Sequence, residues 1–183
     1  MDLGRAPDTL EGLVERMRAG LDADALVTTG YFTAREVEAA EWADMLDELI
    51  AAGRATRLRL PDQRWLAVAA DRLHECQAAA PGSHAEPSLS LPAELERDWE
   101  PHAARVEVIR TRLELTGPIT AAQVAEELGG SARDVDAALL ELEARGIVMR
   151  GNWEEVAQLE GERTPQWCDR ALLARIHRLT IDR

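Results

Sequence analysis

The side chains here that could do chemistry are arginines. All 21 basic residues of the 183 are arginine, with no lysine anywhere. Two groups of them stand out. The first is Arg54, Arg57, Arg59 and Arg64, in which Arg57 and Arg59 share a strand face by a period of two. The second is Arg170, Arg175 and Arg178, with Arg163 before them and Arg183 after. Arg105, Arg110 and Arg112 form a weaker third set. A planar guanidinium donates two hydrogen bonds at once to a phosphate, so the first two clusters are the candidate nucleic-acid-binding residues. The competing reading is ion pairing with the 34 acidic residues, which leave a net charge of −13. That charge excludes a surface that grips phosphate everywhere; any such contact is local.

Other chemistry is not offered. No nucleophile lies beside a base, and no carboxylate dyad emerges. His74-Glu75-Cys76 is neither a zinc nor a hydrolase pattern, and His177 stands alone. Without lysine a Walker phosphate loop is impossible. The expectation is a non-enzyme with no catalytic residues, no metal and no cofactor. Cys76 and Cys168 are far apart and outside any C-x-x-C pair, which suits free, partly buried thiols better than a disulfide or metal site. No apolar run approaches the ~18 residues of a membrane span, and no basic start is followed by an apolar stretch, so no secretory signal is expected. A cytoplasmic protein with no membrane contact is expected.

The elements that must position these arginines form an internal repeat. Thr33 with Glu36, and Thr120 with Gln123, each make the T-x-x-[E/Q] capping box that starts a helix. Ser131 with Asp134 repeats it more weakly. A longer helix follows in each copy, with Trp42, Met45, Leu46, Leu49 and Ile50 as one apolar stripe and Val135, Ala138, Leu139 and Leu142 as the other. Gly53 and Gly146 stand where a left-handed residue closes each helix. The period then changes to two. Leu58 and Leu60 alternate with Arg57 and Arg59, Pro61-Asp62-Gln63 turns the chain, and Trp65 to Val68 returns. In the second copy Gly151-Asn152 is the expected turn before Trp153. Leading helices over 10–19 and 101–115 complete the units, the latter burying Val106, Ile109 and Leu113.

Helix, helix and two-stranded wing is the winged-helix plan. The expected fold class is therefore mainly α with small β-hairpins (α+β), arranged as tandem winged-helix domains plus a C-terminal helix. The expected divisions are 1–80 and 99–162 for the two domains, with the proline-rich stretch 81–98 as linker. Residues 163–183 then form a helix running into a missing downstream domain, with 167–183 helical and Leu172, Leu173, Ile176 and Leu179 on one side. Trp42, Trp99 and Trp153 read as packing residues, and Trp167 and Cys168 as anchors of the last helix. Trp65, beside the arginine strand, reads as packing or as a stacking platform for a single-stranded base.

Several stretches resemble the winged-helix region of the Lhr family, the large helicase-related ATP-dependent helicases of bacteria. They are Trp42 to Gly53 with 54–68, Gly117-Pro118-Ile119-Thr120-Ala121, Arg150-Gly151, and above all Trp167-Cys168-Asp169-Arg170 leading into Ala171-Leu172-Leu173-Ala174-Arg175-Ile176-His177-Arg178. The resemblance spans roughly Leu10 to Arg183. It implies an accessory segment of an ATP-dependent helicase acting in DNA repair, whose motor lies elsewhere, since neither G-x-x-x-x-G-K-[ST] nor a D-E-x-H box is present. The implied partners are the other domains of the parent helicase, and single-stranded or duplex DNA through the arginine clusters. Reading of the major groove by the long helices is disfavoured, because Glu41, Asp44, Asp47 and Glu48, and Asp134, Asp136, Glu141 and Glu143, would face phosphate with the wrong sign. The alternative is a free-standing winged-helix DNA-binding transcriptional regulator.

Overall fold

A computed structural model describes residues 22–92, 97–153 and 164–181, excluding the side chains of Ile176, Leu179, Thr180 and Ile181. The expected helix over 10–19, Arg163, Arg183 and two stripe positions of the last helix lie outside the described residues.

The protein is α+β. A helix α1 (Ala23–Thr29) starts where the Asp22 carboxylate accepts from the Ala25 N–H. Strand β1 (Phe32–Thr33), helix α2 (Ala34–Ala39), helix α3 (Ala43–Ala51) and the hairpin β2 (Ala55–Arg59)–β3 (Trp65–Ala69) follow. After a 3-10 turn come α4 (Leu73–Ala79) and β4 (His84–Glu86). The second half repeats the order: α5 (Pro101–Leu113), β5 (Ile119–Thr120), α6 (Ala121–Leu128), α7 (Ala132–Ala144), then β6 (Val148–Gly151) and β7 (Gln166–Asp169), with α8 (Arg170–Ile181) last. Both sheets are antiparallel, ordered β1-β3-β2-β4 and β5-β7-β6. Each capping box closes as its sequence predicts, with hydroxyl and side-chain carbonyl or carboxylate satisfying opposite N–H groups. Among the described residues no helix is long and apolar enough to cross a membrane.

Four local expectations are corrected. Residues 167–169 are strand, not helix: Trp167 pairs with Ile119 on one side and Arg150 on the other. All four residues of β7 are buried, so the strand shows no period-two alternation and its short block is ambiguous in sequence. The helix begins at Arg170, where the Asp169 carboxylate accepts from the Leu172 N–H at 2.8 Å. Secondly, the return strand of the second hairpin is β7 rather than the residues after Asn152. Trp153 instead donates its N–H to the Gln166 side chain. Thirdly, the start of the expected linker is β4, which pairs with β2 through Arg57↔Glu86, Leu58↔Ala85 and Arg59↔His84. Finally, Met45 is exposed, since it sits about 100° around α3 from the buried Leu46.

The two halves share one core. β3 divides its faces by residue size: Leu66 and Val68 join a cluster with Leu58, Leu60, Val106, Ile109, Leu128 and Leu139. Ala67 and Ala69 lie in a smaller cluster with Leu26, Phe32, Val37, Trp42 and Leu46. Glycine is required at two points of close approach. A Cβ at Gly129 would lie 3.3 Å from Leu60 Cδ1, and one at Gly30 would lie 3.0 Å from Thr111 Oγ1; both glycines have positive φ.

Two buried arginines stitch the same seam. Arg112 on α5 is 3% exposed. Its guanidinium donates to Glu36 Oε1 on α2 at 2.8 Å and to both Glu127 oxygens on α6 at 3.1 and 3.2 Å, and lies 4.8 Å from the Tyr31 ring centroid. Tyr31 in turn donates its hydroxyl to Glu127 at 2.6 Å. Burial pushes the Tyr31 phenol well above its ordinary value, so it stays neutral and donating. Arg72 makes a bidentate pair with Glu75 at 2.7 and 2.9 Å and donates to the Val27 carbonyl and Thr111 Oγ1. Removing a buried cation strands its partners, though Glu36 and Glu127 are exposed enough to rehydrate in part. Arg112→Ala is therefore expected to cost about 2–4 kcal/mol in urea denaturation. An effect within ~0.5 kcal/mol would show that this network does not hold the halves together.

Candidate nucleic-acid interface

The first hairpin presents its arginines already paired. Arg57 reaches Asp47 on α3 at 2.5 Å and lies 5.4 Å from the Trp65 ring centroid. Arg59 reaches Glu86 on β4 at 2.5 Å, and Arg64 reaches Asp62 in the turn at 2.6 Å. These arginines hold the Glu86 and Asp62 carboxyls below the usual carboxylate range, chiefly through side-chain hydrogen bonds. Arg54 is exposed, and no carboxylate pairs with it among the described residues. Trp65 is half-buried, with one of its neighbours the Arg57 guanidinium rather than open solvent. Pairs this exposed stabilise little and can be exchanged for another anion, yet they neutralise most of the hairpin's positive charge.

The last helix differs. Arg170, Arg175 and Arg178 are all exposed, and none has a carboxylate partner among the described residues. At about 100° per residue they fall within an arc of roughly 140°, away from Leu172 and Leu173, which turn inward. The Arg178 guanidinium donates weakly to the Ala174 carbonyl within its own helix. Arg170 is placed at the C-terminal end of α7, its backbone N–H donating to Ile147 at 3.0 Å. The two arginine groups thus differ in availability, a distinction invisible in a list of positions.

The third group is removed from any surface role. Arg105 and Arg112 are buried, and Arg110 is held between Glu107 and Glu114 on its own helix. Of the two inter-half ties, Arg72 was not singled out by the sequence, and Arg112 was grouped there with surface candidates rather than with the core. A signal existed for Arg112: it stands three residues after Ile109 on the buried stripe of α5. Acidic side chains dominate the outer faces of the long helices, with Asp44, Asp47 and Glu48 exposed on α3 and Asp134 and Asp136 on α7.

Among the described residues no group of three or more His, Cys, Asp or Glu could hold a metal ion. Comparison of the chain with protein-family models and with curated proteins finds no match. Both cysteines are free and buried. Burial pushes the Cys76 thiol up to about 12 and the Cys168 thiol to about 11. At pH 8 the reactive thiolate is then only about one part in 10³–10⁴. Ellman's reagent is expected to titrate neither thiol in the native protein within minutes, and both after denaturation. Rapid native labelling would contradict the burial described.

Proposed function

We propose that this chain is a non-catalytic pair of winged-helix units from the accessory region of an Lhr-type ATP-dependent DNA helicase, which positions nucleic acid against the arginine face of α8. The repeat supports the winged-helix reading: each half runs helix, short strand, helix, helix, hairpin, with the hairpin's return strand central in β1-β3-β2 and β5-β7-β6. The observation that carries the nucleic-acid reading is the exposed set Arg170, Arg175 and Arg178, none of which has a carboxylate partner among the described residues. It lies in the stretch that most resembles the family, the Trp167-Cys168-Asp169-Arg170 block and the helix it leads into. The acidic α3 and α7 disfavour groove reading and with it a free-standing regulator. The shared core and the buried Arg112 tie favour two units acting as one rigid spacer between other modules of the parent enzyme. This reading places the protein in the bacterial cytoplasm, in DNA repair.

Fluorescence anisotropy with labelled single-stranded and duplex DNA, from low to moderate salt, tests it. Arg175→Glu/Arg178→Glu is expected to weaken binding by about tenfold or more and to flatten the log–log salt slope by about 1.5. Arg57→Glu/Arg59→Glu, which breaks pairs already neutralised, is expected to weaken it by no more than about threefold. No binding by the wild type at ~50 mM salt would sink the nucleic-acid part and leave the rigid spacer alone.

A further inference from the structure

One cleft is not used by the reading above. About 690 Å3 in volume, it is lined by Arg97, Trp99, His102, Arg110, Glu141 and Arg145 with others from α1, α4 and α5. A second hollow, of about 490 Å3, shares Arg97 and Trp99 and is completed by His74, Gln77 and Asp98. These two residues therefore form the partition between the hollows.

Most of the charge in the larger cleft is committed. Arg110 is held by Glu107 and Glu114, Arg72 by Glu75, and Arg145 by Glu141, which also meets His102 Nε2 at 2.6 Å. Arg97 is the exception. It is exposed, has no carboxylate partner among the described residues, and its guanidinium carbon lies 4.4 Å from the Trp99 ring centroid. Trp99 is itself half-buried and packed against the shared core, which fixes the platform. The Arg97 backbone N–H adds a 3.4 Å contact to His74 Nδ1. The result is a planar cation with an aromatic ring on one side, at the mouth of a cleft whose three other arginines are outnumbered by four carboxylates.

We infer that the Arg97–Trp99 pair is a stacking platform for an unpaired nucleobase, so that the nucleic acid met by α8 is single-stranded here; this rests on the nucleic-acid reading above. A free phosphate is a poor occupant, because the four carboxylates lining the cleft oppose it. A neutral planar base suits it: guanidinium planes stack on bases, and the paired polar groups of the lining offer donors and acceptors to a base edge. A base inside a duplex is stacked on both sides and is not free to engage. One member of the arginine face lies near the cleft. Arg145 lines it, and a Cβ at the next residue, Gly146, would lie 3.7 Å from Arg170 Nη1.

The test compares oligothymidylate of about 12 nucleotides with an abasic strand of equal length, at one salt concentration, by anisotropy. The wild type is expected to bind the thymidylate strand about 5- to 100-fold more tightly than the abasic one. Arg97→Ala abolishes that difference, and Arg97→Lys removes most of it, since an ammonium keeps the charge without the planar face. Arg97 is exposed, so both variants are expected to melt like the wild type. If Arg97→Ala weakens both strands equally, or changes neither, the stacking platform is wrong. Loss of binding in Arg175→Glu/Arg178→Glu with the base preference intact in Arg97→Ala would overturn this inference and leave the proposed function standing. No binding by the wild type to either strand would overturn both.

Discussion

The Arg112 guanidinium sits where three elements from both halves meet, and the rest of the structure is arranged around keeping it satisfied. Its position on the apolar stripe of α5 takes a permanent charge out of water, which is tolerable only because Glu36, Glu127 and the Tyr31 ring surround it. Glu36 serves twice: one carboxylate oxygen closes the capping box of α2 through the Thr33 N–H and the other accepts from Arg112. The start of a helix in the first half is thereby tied to the end of a helix in the second. Arg72 and Thr111 repeat the tie from the residue before Arg112 on α5, at the point where Gly30 leaves room for them. Hydrophobic contact supplies the bulk of the seam, and these directional bonds fix its register.

The elements legible in the sequence were those with local causes. Thr33, Thr120 and Ser131 announce helix starts through bonds to groups three residues away, and Gly53 and Gly146 announce ends through backbone conformations that glycine adopts freely. The β2–β3 hairpin follows from alternation and a turn. What was not legible depends on distant partners. β7 is buried on both faces of its sheet, so it lacked the alternation that marks a half-buried strand. β4 is a strand only because the edge of β2 is there to pair with it. For the arginines, spacing identified the clusters but could not assign their partners: Glu86 reaches Arg59 from 27 residues away in the chain.

Charge is distributed by function of place rather than by amount. Acidic residues dominate the outer faces of α3 and α7, the first hairpin is internally neutralised at Arg57, Arg59 and Arg64, and exposed arginines without carboxylate partners among the described residues stand together on α8 and singly at Arg35, Arg54, Arg97 and Arg133. A protein with a formal charge of −13 can thus present a cationic track in one region while repelling polyanions elsewhere.

The central position of β7 has a mechanical consequence. Asp169 ends the strand and caps α8 in the same residue, so no slack separates the sheet from the helix. Tension entering through α8 along the strand direction is therefore carried by β7, which is bonded on both sides, to β5 and β6. Pulling a central strand along its axis loads both ladders in shear, so their hydrogen bonds share the force instead of opening one at a time as at a peeled edge. The second unit is consequently stiff along that line.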